Sequence, residues 1–126
     1  MAKSVAEQVA AAKAHIENLS PEQVAKELRE GATLIDLREP EERSATGVIA
    51  GSFAAPRGML EFYADPASSY HRPEFNPSRR IILTCAGGGR SALAAVTLQE
   101  MGYDNVAHLE SGVNGWIGEG LPVEHE

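Results

Sequence analysis

The sequence predicts an α/β domain, with a mostly parallel central sheet covered by helices on both faces in three layers. Three observations carry that expectation. Short apolar runs of strand length alternate with longer segments of helical period, and no hairpin signal joins neighbouring runs, so the strands must be linked by crossovers. Ile81-Ile82-Leu83-Thr84 is apolar almost throughout, the mark of a strand buried on both sides. A chain of 126 residues is one domain by size and long enough for a single sheet-centred core.

Ser4-Val5-Ala6-Glu7 is a candidate capping box, and Val5, Val9, Ala12 and Ile16 then form a thin stripe on one helical face. The expectation for residues 1–19 is a helical extension packed on the domain; pairing with a second copy, as a homodimer, is the alternative left open. Residues 20–126 are the domain proper. Its first helix opens at Ser20-Pro21-Glu22-Gln23, with Ser20 as N-cap, Pro21 where its missing N–H costs nothing and Gln23 reaching back. Gly31 stops it.

Thr33 to Leu37 is a strand, with Asp36 and Arg38 at its carboxyl end, and Pro40 opens a brief acidic helix to about Ala45. In open α/β sheets that edge carries the ligand crevice, so Asp36 and Arg38 are expected to support a site there by bonding the Cys85 loop or Arg90. The alternative is a surface ion pair. Ser52 to Ala55 is a further short strand, followed by a helical turn or two at Gly58 to Tyr63. Ala64 to Ser78 is a long connection with turn signals at Asp65-Pro66 and Arg72-Pro73. Connections of that length are often site covers, which makes Arg57, Glu61, Tyr70, His71 and Phe75 candidates for a pocket rim; ordinary loop packing is the other reading. Arg90 to Met101 is a helix with Leu93, Val96 and Met101 on its core face, ending at Gly102. Asn105 to Leu109 is the next strand, and Ser111 to Gly118, which contains Trp116 and Ile117, a short core helix anchored by the only tryptophan.

The chemistry concentrates between the central strand and the helix after it, at Cys85-Ala86-Gly87-Gly88-Gly89-Arg90-Ser91. Glycines let successive amides converge on one spot, and the helix beyond presents its positive end, so an anion there is stabilised. With Cys85 in that spot, the anion is its own thiolate. A buried, inert cysteine is the alternative, but it would not call for a glycine cradle followed by Arg90 and Ser91.

Cys85-x-x-Gly88-x-Arg90-Ser91 resembles the active-site loop of the rhodanese (thiosulfate sulfurtransferase) family. Leu34 to Glu42 is similar to that family's Asp-x-Arg segment, Gly47 to Ser52 to its glycine-containing turn, and Gly102 to Val123 to its closing segment, with Leu109, Gly112, Trp116 and Gly120-Leu121-Pro122-Val123 in order. The resemblance spans roughly residues 20 to 123 and implies a single-domain, three-layer rhodanese-like fold. Val48 stands where the family usually has His, so no role is carried to it. The implied reaction is double displacement: Cys85 attacks a sulfane sulfur, as in thiosulfate, becomes a persulfide and passes the sulfur to cyanide or a thiol. Loop amides of Ala86, Gly87, Gly88, Gly89, Arg90 and Ser91 would hold the anionic donor, Asp36 and Arg38 would support them, and Arg57 and Glu61 would stand at the rim.

Bulk properties narrow the partners. A formal charge of −7 opposes binding to nucleic acid or an anionic membrane, so a small anionic substrate must be held locally. One cysteine excludes an internal disulfide or a thiolate-built zinc site, and the four histidines, His15, His71, His108 and His125, show no ligand spacing and read as solvated or hydrogen-bonded structural residues. No metal or organic cofactor is implied. Charges interrupt the N-terminal apolar sequence and no segment is long enough to span a bilayer, which makes the cytoplasm the expected location. Rival readings are a low-pKa cysteine redox sensor, a non-catalytic persulfide-carrying or binding module, and a cysteine phosphatase or arsenate reductase. The phosphatase signature has five residues between Cys and Arg, and this chain has four between Cys85 and Arg90.

Overall fold

Ile81–Thr84 forms a strand whose four residues are all buried, and the rest of the sheet is laid out on either side of it. A computed structural model describes residues 2–126. Its strands are β1 (Glu17–Leu19), β2 (Thr33–Asp36), β3 (Phe53–Ala54), β4 (Ile81–Thr84) and β5 (Val106–Leu109). They pair in parallel in the order β1-β5-β4-β2-β3. The helices are α1 (Val5–Lys13), α2 (Pro21–Arg29), α3 (Pro40–Thr46), α4 (Leu60–Ala64), α5 (Gly89–Glu100) and α6 (Gly112–Gly118), with a 3₁₀ turn at Arg57–Met59.

Side chains alternate across the sheet and feed two cores. Ile35, Leu37, Ile81, Leu83 and Cys85 pack with Leu60 of α4 and with Ala94, Ala95 and Leu98 of α5. Leu34, Ile82, Ala107 and Leu109 pack on the opposite face with Val24 of α2 and with Val113 and Trp116 of α6. The three-layer expectation holds. The chain leaves β2 toward β3 but leaves β4 toward β5, so the crevice where connections diverge lies at the carboxyl ends of β2 and β4. Cys85 follows β4 at that point.

The local signals at both capping boxes are realised. The Ser4 hydroxyl accepts from Glu7 N and the Glu7 carboxylate accepts from Ser4 N, and Ser20 and Gln23 repeat the exchange. α1 lies on α5, burying Ala12, while Val5 at its start is exposed. The chain between α1 and α2 is not helical, however: Glu17–Leu19 is an edge strand paired with Ala107–Leu109. Three residues are too few to show a period, and Arg80 ties the strand down by bonding Glu17 and Glu27 together.

Several expected core faces differ. On α5 the buried residues are Ser91, Ala92, Ala94, Ala95 and Leu98, with Leu93 and Val96 only half-buried beneath α1, because small alanines let the helix sit close on the sheet. Ile117 is exposed, while Trp116 anchors α6 as expected, with its Nε1 donating to Pro122 O at 2.8 Å. The long connection is pinned inward: Phe75 is fully buried against Phe53 and Tyr63, and the Tyr103 hydroxyl donates to Ala64 O and Phe75 O. Burial of that phenol, with Asp65 nearby, pushes its pKa up to about 12. Among the described residues no helix is long and apolar enough to cross a membrane.

Candidate active site

Cys85 leaves β4 into a loop that turns at once into α5. Gly88 makes the turn possible at φ +100°, a left-handed conformation that disfavours any side chain. The turn aims two amides at the sulfur: Gly88 N donates to Cys85 Sγ at 3.1 Å and Ser91 N at 3.4 Å. The sulfur therefore sits at the N-terminus of a 12-residue helix, where unpaired amides and the helix dipole favour negative charge. Cys85 is 1% exposed, while Gly87 at the loop tip faces solvent.

The loop's carbonyls are held from the other side. Val113 N donates to Cys85 O at 2.8 Å and Asn114 N to Ala86 O at 3.0 Å, both from the first turn of α6. The approach is close enough to exclude a side chain at Gly112, whose φ is +68°: a Cβ there would lie 2.7 Å from Cys85 O and nearer still to Ala86 O. A Cβ on Gly88 would in turn collide with Glu110 O. The Cys85 loop and the segment after β5 thus lock through two glycines. In the sequence Gly112 stands out only as a family position, and the Ser-Gly start to a helix is the local signal that points to it.

Arg90 and its partner correct an expectation. Its guanidinium makes a two-pronged pair with Glu42, Nη1 to Oε1 at 2.8 Å and Nη2 to Oε2 at 2.9 Å, and does not bond Asp36. Glu42 also accepts from Glu39 N at 2.9 Å, closing the first turn of α3. The Arg90 guanidinium holds the Glu42 carboxyl down at about 2 against the opposing effect of burial, and Glu42 raises Arg90 in return. The Glu39-x-x-Glu42 spacing just before and inside the Pro40 helix was a capping signal, and it could have singled out Glu42.

Asp36 and Arg38 do not touch the cysteine loop, nor do they form a surface pair. Both are buried, with Arg43 beside them: Asp36 Oδ2 accepts from Arg38 Nη2 and from Arg43 Nη1, each at 2.8 Å. Arg38 continues to Thr46 Oγ1 and Gly47 O. The cluster fastens α3 and the Gly47 turn to the end of β2, so its support reaches the site through Glu42. Asp36 points to the α2 and α6 face because it alternates with Leu37, which is why it cannot meet Arg90. Val48, in the same turn, pairs with Glu124 through both backbone bonds.

Arg57 and Glu61 pair with each other at 3.0 Å, and Arg57 reaches Thr97 of α5. Thr97 is six residues beyond Ser91, roughly 9 Å along the helix, so Arg57 lines a cleft with Ala12, Leu93 and Thr97 rather than the cysteine loop. Tyr70 stacks edge-on against Phe62, and His71 Nδ1 meets Tyr63 O. Phe75 is core. None of the five is brought to Cys85.

One histidine is brought there instead. His108 is paired in register with Leu83 on β4 and with Asn18 on β1, which turns its side chain to the same face as Cys85 and α5. It is fully buried, with Nδ1 2.7 Å from Ser91 Oγ and Nε2 2.7 Å from Asn18 Oδ1. Ser91 Oγ lies 3.6 Å from Cys85 Sγ. Burial, joined by Lys13 and opposed by Glu110, lowers His108 to about 4.

Residues 20–119 match the rhodanese-like domain family. The chain belongs to the rhodanese-like family. Among its relatives, the thiosulfate sulfurtransferase GlpE of Haemophilus influenzae is 29% identical over 107 residues, which cover 84% of this chain and 92% of that one. The solved polysulfide-sulfur transferase homodimer of Wolinella succinogenes superposes with a TM-score of 0.76 at 34% identity, over 94% of this chain and 85% of that one. A Rhodopseudomonas palustris protein of unknown function, described as a possible tyrosine phosphatase, superposes with a TM-score of 0.92 at 38% identity, over 98% and 96%. The rhodanese-like fold and relatives named for sulfur transfer support that general activity for this domain.

Proposed function

We propose that this rhodanese-like domain is a sulfurtransferase that carries a sulfane sulfur on Cys85 as a persulfide. The observation that carries the reading is the Cys85 sulfur held by two loop amides at the start of α5. The Cys85 thiolate attacks the outer sulfur of a thiosulfate-like donor; a new S–S bond forms as the donor's S–S bond breaks, and its electron pair leaves on sulfite. The other amides of the Ala86 to Ser91 loop and the positive end of α5 favour the terminal persulfide anion and the donor's anionic end. Cyanide or a thiol then takes the outer sulfur, and Cys85 leaves as thiolate.

Glu42 favours this reading over phosphate chemistry. In a tyrosine phosphatase the arginine faces the phosphoryl group, whereas here a carboxylate occupies both prongs of Arg90 and only four residues separate it from Cys85.

Incubation with thiosulfate followed by intact mass measurement tests the proposal. A gain of one sulfur is expected on the parent and none on Cys85→Ser, which keeps nearly the same shape. Parent protein that gains no sulfur, or a serine variant that still turns over, refutes it.

A further inference from the structure

The hydrogen-bond chain Cys85–Ser91–His108–Asn18 has a direction that its outer end decides. Both amide protons of Asn18 are committed, Nδ2 donating to Lys13 O at 2.9 Å and to Ile16 O at 3.2 Å. Its Oδ1 is thereby turned to His108 and can only accept, so Nε2 of His108 carries a proton. A neutral imidazole protonated on Nε2 has a bare lone pair on Nδ1. The Ser91 hydroxyl, at 2.7 Å, must supply the proton between them, in preference to the longer 3.3 Å contact it makes with Gly88 O. Ser91 has only that one proton, and what it then turns to Cys85 at 3.6 Å is oxygen lone pair. The chain is therefore set to receive a proton from the thiol and not to give one.

We propose that His108 takes up the Cys85 thiol proton through Ser91, so that the thiolate forms inside the site without a base from solvent. The thiol S–H proton passes to Ser91 Oγ as the Ser91 proton passes to His108 Nδ1. No electrons change hands. The products are a Cys85 thiolate, a Ser91 hydroxyl now directed at it, and an imidazolium held by Ser91 Oγ and Asn18 Oδ1. When an acceptor takes the sulfur and Cys85 leaves as thiolate, the same steps in reverse return the proton. His108 acts through Ser91 and is a positioning residue in this scheme.

The surroundings keep the imidazolium brief. His108 is fully buried, and the charged groups acting on it are Lys13 from the last turn of α1, which disfavours a second positive charge, and Glu110 after β5, which favours it. Those two pair with each other at 3.7 Å. β4, β1 and α5 place Leu83, Asn18 and Ser91 against the ring, none of them charged. An imidazolium that persists only while the thiolate is beside it suits a site that must release the proton again.

The proposal rests on the sulfur-transfer reading only in needing Cys85 to react as a thiolate, so its test uses alkylation by iodoacetamide, which needs no sulfur donor. Alkylation rates are measured across pH for the parent, His108→Asn, Ser91→Ala and the double variant. Each single change is expected to slow the reaction by roughly a hundredfold or more on the acid side of the profile, general-base assistance contributing about 10²–10⁴-fold, and to converge with the parent on the alkaline side. The double variant is expected to be no slower than either single one, because the two residues act in series. A loss that is uniform across pH, an additive loss or no loss overturns the relay. Nitrogen NMR of the parent gives a reading that needs no variant to fold: neutral His108 is expected as the Nε2–H tautomer, and an Nδ1–H tautomer overturns the proposal. Failure of thiosulfate to form a persulfide would refute the proposed function and leave these readouts intact.

Discussion

Replacing Gly112 by Ala separates two demands that the site makes on one residue, a left-handed backbone and a close approach to the cysteine loop. Gly102→Ala supplies the comparison, because Gly102 has φ +94° and nothing within 4 Å of where a Cβ would stand. Forcing alanine into the left-handed region costs about 1–2 kcal/mol, which alanine's stiffer unfolded chain partly offsets, so Gly102→Ala should lose about 1 kcal/mol. Gly112→Ala carries that cost too. Its Cβ must also push the Cys85 and Ala86 carbonyls away, which breaks or stretches the bonds from Val113 N and Asn114 N, each worth about 1 kcal/mol. The expected total is about 3 kcal/mol. For a domain of this size that is a fall in Tm of roughly 10 °C, against roughly 3–4 °C at Gly102. Urea or thermal unfolding reads the stability, and the rate of persulfide formation with thiosulfate reads the loop. Only Gly112→Ala should slow persulfide formation, since only it displaces the backbone that aims Gly88 N and Ser91 N at the sulfur. Equal stability losses, or a Gly112 variant with the parent rate, would refute the interlock.

Arg90→Lys should have a sulfur-transfer rate close to that of Arg90→Ala, because a lysine cannot hold both Glu42 oxygens at once; a near-parent rate would mean that charge alone matters. Asp36→Asn leaves Arg38 and Arg43 buried without their shared anion, and a loss of about 3–5 kcal/mol is expected in urea unfolding. An Asp36 variant as stable as the parent would count against the cluster as the fastening of α3. The pair of Glu42 with Arg90 should also show in the acid limb of stability. The folded Glu42 value of about 2 lies below its ordinary 4.5, so the contribution is complete above that ordinary value and fades as pH falls toward the folded one. With about a third of the side chain exposed, screening reduces the effect to about 1 kcal/mol. Arg90→Ala should flatten that part of the stability profile, and an unchanged slope would show that the pair contributes nothing.

Much of the site could be read along the chain. The thiolate cradle depends on a glycine turn between an apolar strand and a helix, features that lie within seven consecutive residues, Cys85 to Ser91. The caps at Ser4 and Ser20 are likewise bonds between residues three apart. Periodicity served less well where residues are few or small. β1 is three residues long, and the buried face of α5 is made of alanines that its larger neighbours Leu93 and Val96 outweigh in any hydrophobic pattern. A long, irregular segment suggests a pocket rim for Phe75, whereas the Tyr103 hydroxyl bond that helps hold it in the core comes from 28 residues further along the chain.

The sequence by itself determined the α/β class, the strand, loop and helix around Cys85, and the residue types that face the sulfur, because each of these is settled by hydrogen bonds and torsions among near neighbours. The tertiary structure alone decided partnership. Arg90 meets Glu42 across 48 positions and His108 meets Asn18 across 90. The first depends on α3 and the loop after β4 sharing one edge of the sheet, the second on β1 joining beside β5. Asp36 and Glu42 both offered a carboxylate to Arg90, and the sheet's alternation chose between them by turning Asp36 to the opposite face. Strand order and facing are set by how two whole cores pack, and no short stretch of sequence contains that sum.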